Sequence, residues 1–254
     1  MTNFGNLMPQ LPISVQLYTV RAAIADDLPA ALRRIAGIGY TTVELFDFVG
    51  REDEYAVALA DAGLTASSGH ARLAEAPDVA PAFAAARALG IGTLIAPHIP
   101  AERWQDRESI ADSARRLNAV ALRAADEGVR VGYHNHWWEL ESRVDGHPAL
   151  EVFADLLDPR VVLEVDVYWA EVGGMPAPEL LARLGERVQL LHVKDGPRSR
   201  DAEEQVAVGS GEIDIPAVLV AAPQAQRVVE LDGCRGDVFD ALADSLAYLT
   251  GDLA

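Results

Sequence analysis

Short runs of β-branched and aliphatic residues alternate along the chain with longer segments whose apolar positions recur at helical spacing. The short runs are ISVQLY (13–18), TTVELF (41–46), LTASSGH (64–70), TLIAP (93–97), RVGYHNH (130–136), VVLEVD (161–166), VQLLHV (188–193) and RVVELD (227–232). Between them lie DLPAALRRIAGIG, DVAPAFAAARALG, SIADSARRLNAVALRAADEG and VFDALADSLAYLT, most opening on Asp or Ser and several closing on Gly. Strand and helix thus alternate, the pattern of repeated βα units around a parallel sheet. Eight such units, with no long Pro/Ser-rich linker between them, predict a single-domain α/β fold, a (β/α)8 TIM barrel over residues 13–254 behind an N-terminal extension over residues 1–12. A doubly wound open sheet is the other arrangement of such units, but no G-x-G-x-x-G follows the first strand.

A barrel places its active site where the C-terminal ends of the strands converge. Those ends carry Gln16 and Tyr18, Glu44, His70, His98, the 134–139 group, Asp166, His192 with Lys194, and Glu230. Wet strand ends explain some of these, but not carboxylates set inside apolar runs such as VELF, VVLEVD and VVELD. Asp166, His192 and Glu230 end neighbouring strands, and a divalent cation among them makes three such groups compatible in a dry funnel. A fourth ligand is expected from the fifth strand, where His134, His136, Glu139 and Glu141 are the candidates.

The remaining composition narrows the field. Half the residues are hydrophobic, enough for a sizeable core. A lone Cys234 excludes an intramolecular disulfide and a multi-cysteine zinc site, which fits a reducing cytoplasm. The first residues lack a charged start followed by an apolar run, and no stretch approaches the roughly 20 apolar residues needed to span a bilayer, so no membrane association is expected. A net charge of −18 repels phosphate backbones, so no nucleic-acid partner is expected either.

YHNHWWE, EVDVYWA, LLHVKD, GSGEIDIPAVL and VVELD together resemble the sugar phosphate isomerase/epimerase family of xylose isomerase-like barrels, over essentially the whole chain from Ile13. That superfamily also holds inosose dehydratases, ketose 3-epimerases, dehydroshikimate dehydratases and endonuclease IV. The resemblance implies a metal set of Glu139, Asp166, His192 and Glu230, with Glu141 as the alternative to Glu139. It favours Mn²⁺, although a carboxylate and imidazole set also suits Mg²⁺, Co²⁺ or Zn²⁺. It implies Glu139 and Glu230 as the acid/base pair of a sugar isomerase or epimerase, working by proton abstraction next to a carbonyl through a metal-stabilised enediolate. The alternative is a lyase or dehydratase acting on a keto-sugar, an inosose or a 3-keto-glycoside.

Around that centre, His70, His98, His136, Lys194, Trp169 and Glu44 are the candidate substrate contacts. Histidines and Lys194 suit hydroxyls and a developing negative charge, and tryptophan suits the C–H face of a sugar. The long loop over 195–213 is placed to act as a lid. Nuclease chemistry is disfavoured, because Trp169 stands where the endonucleases have a histidine and EIDIPAV lacks their Asp-x-His. A small-molecule sugar is thus the expected ligand, and a homo-oligomer or a small partner subunit the expected assembly.

Overall fold

The computed structural model describes residues 11–251. Most of the N-terminal extension expected over residues 1–12 lies outside them. Eight parallel strands run β1 (Ser14–Gln16), β2 (Thr42–Leu45), β3 (Thr65–His70), β4 (Thr93–Ala96), β5 (Arg130–His134), β6 (Val161–Asp166), β7 (Val188–Val193) and β8 (Gln226–Val229). They follow one another in sequence order and close into a barrel, β8 pairing with β1. This is the single-domain (β/α)8 barrel that the strand count predicts, with helices between the strands.

The helices form where capping and periodicity ask for them. Asp106, Asp214 and Asp237 each accept a backbone N–H at the start of the helices Arg107–Asp126, Ile215–Ala221 and Val238–Thr250. The helix Arg21–Ile38 is interrupted at Asp27, whose backbone is non-helical and whose side chain accepts from Ala30 N at 2.9 Å. Pro29 then falls in a first turn, where its missing N–H is harmless.

Alternation along each strand sorts its side chains between helices and barrel interior. Outward residues such as Val15, Leu94, Val131, Tyr133, Leu163, Val165 and Leu191 join the large apolar core under the helices. A separate, smaller cluster of Ile95, Val162, Leu190 and Val228 fills the interior. Glu164, His192 and Glu230 follow two residues after Val162, Leu190 and Val228, so this apolar layer is the floor beneath the polar end of the barrel. Gly132 leaves room for the floor to close: a Cβ there would lie 2.5 Å from Ile95 Cδ1 and 3.0 Å from Val162 Cγ2.

The loop after β7 is fastened from within. The buried carboxylate of Asp195 accepts the backbone N–H groups of Gly196 (2.8 Å), Gly209 (2.9 Å), Gly211 (3.0 Å) and Ile213 (3.0 Å). A Cβ on Gly211 would collide with that carboxylate, which explains the glycine. The segment expected as a lid therefore has both ends pinned to one anion.

Two stability outcomes follow. Gly132→Val drives a branched side chain into Ile95 and Val162 and is expected to cost ~1–3 kcal/mol, read as a lowered urea midpoint. Asp195→Ala strands four donors and is expected to cost on the order of 3 kcal/mol, with hydrogen exchange at residues 209–213 rising ahead of the barrel strands.

Candidate functional site

Asp166 ends β6, His192 lies in β7, and Glu230 follows β8, held beside β7 by a hydrogen bond from its N–H to Val193 O. All three are buried, as are His134 at the end of β5 and Glu164 in β6. Donor atoms of His134, Asp166, His192 and Glu230 lie within 4.8 Å of one another, and so do those of His70, His134, Glu164 and His192. Three of the four ligands implied by the family resemblance thus come together.

Glu139 lies apart from both sets. Its carboxylate is fully buried, accepting from Tyr133 Oη at 2.6 Å and from the backbone N–H of His136 at 2.9 Å. The cause is local: after β5 the chain enters the short helix Trp138–Glu141, which turns Glu139 beneath His136 and leaves His134 facing the interior. Glu141, the alternative, pairs with Arg200 at 2.5 Å and is exposed.

The cluster balances burial against pairing. Burial opposes ionisation of Glu230, yet Lys194 at 2.6 Å and His192 Nδ1 at 2.6 Å hold its pKa well below the carboxylate range. Burial likewise opposes ionisation of Glu164, and its histidine neighbours bring it down to about 2. Asp166 goes the other way: burial lifts it to about 6 against the pull of Lys194, 2.9 Å away, and of His192. Burial would depress His70, but Glu44 and Glu164 raise it to about 9. His134, buried beside His192, is pushed well below its usual value.

The other expected contacts divide into those that face the cavity and those that support it. A cavity of about 630 Å³ opens over the site, lined on one side by His70, His98, His134 and His136 and on the other by Glu230 and Asp232. The rest of its lining mixes Tyr18, Phe46, Phe48, Val49 and Pro97 with the charged Asp47, Arg72 and Asp78. His136 stacks on Trp138 with ring centroids 4.2 Å apart. Glu44 accepts from Gln16 at 2.8 Å and meets His192 at 2.7 Å and His70 at 3.1 Å. Trp169 donates its indole N–H to Asp232 at 3.1 Å, so it steadies a carboxylate that Lys194 also meets, at 2.7 Å.

Three contributors were not singled out from sequence. Glu164 stands two residues before Asp166 and so faces the same way, a signal that alternation alone provides. Asp232 and Gln205 pair with each other, Gln205 Nε2 to Asp232 Oδ2 at 3.0 Å and Asp232 N to Gln205 Oε1 at 2.7 Å. A loop residue's reach across 27 positions leaves no such signal.

The residues fit a divalent ion. Mixed imidazole and carboxylate donors without thiolate suit such an ion, and Glu164 Oε1 and Glu44 Oε2 are buried without a hydrogen-bond partner.

Comparison with known proteins places the whole architecture. A sugar phosphate isomerase/epimerase from Parabacteroides distasonis ATCC 8503 is 25% identical, with a TM-score of 0.80 over 98% of this chain and 96% of that one. The probable 3-DHS dehydratase AsbF from Bacillus anthracis is 12% identical, with a TM-score of 0.70 over 94% and 99% of the two chains, a likeness of fold. So is that of the IOLI protein, whose structure has a zinc atom bound: 14% identity and a TM-score of 0.65 over 96% and 99%. A comparison with curated protein sequences finds no match. The xylose isomerase-like TIM barrel family matches residues 32–226, and the chain belongs to that family.

Proposed function

We propose that this chain is a divalent-metal-dependent sugar isomerase or epimerase that moves a proton on a carbon next to a carbonyl. The observation that carries the reading is the convergence of His134, Asp166, His192 and Glu230 at the base of an open cavity. These four residues would hold the ion, with His134 taking the fifth-strand position that the resemblance gives to Glu139. Mn²⁺ is the ion we expect. A bound divalent ion supplies Lewis-acid polarisation of the substrate carbonyl and its neighbouring oxygen.

The chain's own residues supply the rest. Glu230 is held ionised by Lys194 and His192 at the cavity wall, which suits a base that takes the proton from carbon. Lys194, buried against Asp166, Glu230 and Asp232 and not lining the cavity, acts through these carboxylates rather than on substrate. Across the cavity, His136 returns the proton, its backbone fixed by Glu139 and its ring by Trp138. Glu139 thus acts through His136 rather than on substrate. His70 and His98 bind hydroxyls, and Trp169 and Glu44 hold Asp232 and His192 in place.

One observation favours lyase chemistry as a second reading. The cavity continues past the donor set to a mixed lining in which Phe46, Phe48, Val49 and Pro97 offer apolar contact beside Asp47, Arg72 and Asp78, which suits an aglycone or another non-sugar arm. Expulsion of a β-leaving group from a 3-keto-glycoside uses the same base and the same ion. The small sugar substrate is cytoplasmic on either reading. Among the described residues no helix is long and apolar enough to cross a membrane.

Three measurements test this. A screen of ketoses, inososes and 3-keto-glycosides should show turnover that chelator abolishes and Mn²⁺ restores; full activity after exhaustive chelation overturns metal dependence. Glu230→Gln should lower kcat by about 10²–10⁴-fold with unchanged far-UV circular dichroism, and a near-normal rate removes Glu230 as base. In D₂O an isomerase should wash deuterium into unconverted sugar, whereas a lyase should release water or an aglycone.

A further inference from the structure

Below the four residues proposed to hold the ion lies a second compartment built from His70, Glu44 and Glu164, which shares His134 and His192 with the first. The two shared rings present opposite edges to the two compartments. His192 Nδ1 faces Glu230 above at 2.6 Å, while its Nε2 lies 2.7 Å from Glu44 Oε1 and 3.1 Å from Glu164 Oε2 below. His134 Nε2 points toward Asp166 Oδ2 at 3.9 Å, and its Nδ1 toward Glu164 Oε2 at 3.2 Å. His70 Nε2 completes the lower group, 2.8 Å from Glu164 Oε2 and 3.1 Å from Glu44 Oε1.

We propose that this lower compartment is a second divalent transition-metal site, with His70, His134, Glu164 and His192 as its ligands. Four observations support it. The donor atoms of these residues all lie within 4.8 Å of one another. Their closest separations are near the ~3 Å between neighbouring donors that bonds of about 2.1 Å impose in an octahedral shell.

Charge is the second. The upper compartment already contains an ammonium, since Lys194 meets Asp166, Glu230 and Asp232. Glu44 and Glu164 meet no lysine or arginine among the described residues, and they are 0% and 1% exposed. Among the described residues, histidine rings are the titratable cations that face these two carboxylates, and rings that carry protons beside them can release those protons to a metal ion in the same place.

The third is unspent donor capacity. Glu164 Oε1 and Glu44 Oε2 are buried and have no hydrogen-bond partner. The fourth is the setting of His192: its Nε2 faces the lower donors and its Nδ1 the upper ones, so once metal binding releases its proton the ring can serve an ion on each edge. Three imidazoles with one carboxylate favour a first-row transition ion over Mg²⁺ or Ca²⁺. His70 and His134 both line the cavity, which gives an ion its way in.

The test is metal content, independent of turnover. The full chain is stripped with chelator, dialysed against excess Mn²⁺ or Co²⁺, freed of loose ion, and analysed for bound metal and for the Co²⁺ absorption spectrum. Wild type should hold about two equivalents, and His70→Ala and Glu164→Gln about one each, with loss of one component of the Co²⁺ spectrum. Asp166→Asn should keep the component that the lower-site variants lose. Thermal melting checks that each variant is folded; Glu164→Gln, nearly isosteric, carries the test if His70→Ala is not. A single equivalent that survives both lower-site substitutions overturns the proposal. A single equivalent that both abolish and Asp166→Asn retains upholds it, and instead removes the upper site on which the proposed function rests.

Discussion

Four carboxylates are gathered in the histidine-lined interior at one end of the barrel, and the arrangement of what lies near them follows from that constraint. Glu44, Glu164, Asp166 and Glu230 are each at most 4% exposed. An ionised carboxylate in such a place is stable only beside a cation or a hydrogen-bond donor. The chain answers with His70, His192 and Lys194, and where it does not fully answer, at Asp166, burial lifts the pKa to about 6. The strands supply this geometry at little cost: once Val162, Leu190 and Val228 are directed inward as the floor, alternation carries Glu164, His192 and Glu230 inward above them.

The loop after β7 belongs to the same design. Asp195 gathers four backbone N–H groups, and the loop so fixed carries Gln205 to Asp232 and Ser199 to Tyr168. Asp232 in turn receives Lys194 and Trp169. The position of the Lys194 ammonium is thus set by a chain of polar contacts ending in backbone that lies outside the barrel. A long connection of this kind is ordered by its own carboxylate acceptor rather than by apolar packing.

What the sequence made legible follows from the same physics. Eight apolar runs with polar ends specified the closed barrel, because strand alternation and helix capping are local rules. Asp166, His192 and Glu230 could be placed together because strand ends converge in this architecture. Glu139 could not be placed, since its direction depends on the turn Trp138–Glu141, whose geometry the residue types leave open. His134 was among several candidates, and only the structure distinguishes it by showing Glu139 consumed by Tyr133 and His136. Glu164 was readable in principle: in VVLEVD it shares a face with Asp166, but the apolar run around it reads as core.

The sharing of His134 and His192 joins the two compartments electrostatically. A cation held at His192 Nε2 would draw charge from the ring whose Nδ1 lies 2.6 Å from Glu230, and would make that carboxylate a weaker base. Lys194 acts in the same direction from the other side. Withdrawal of charge from below and from the side therefore both set how readily Glu230 accepts a proton, while its place at the cavity wall fixes which proton it can reach. A barrel that buries this much negative charge holds the reactivity of its base in the cations packed around it, so Glu44 and Glu164, which do not line the cavity, bear on the chemistry through the rings of His70 and His192.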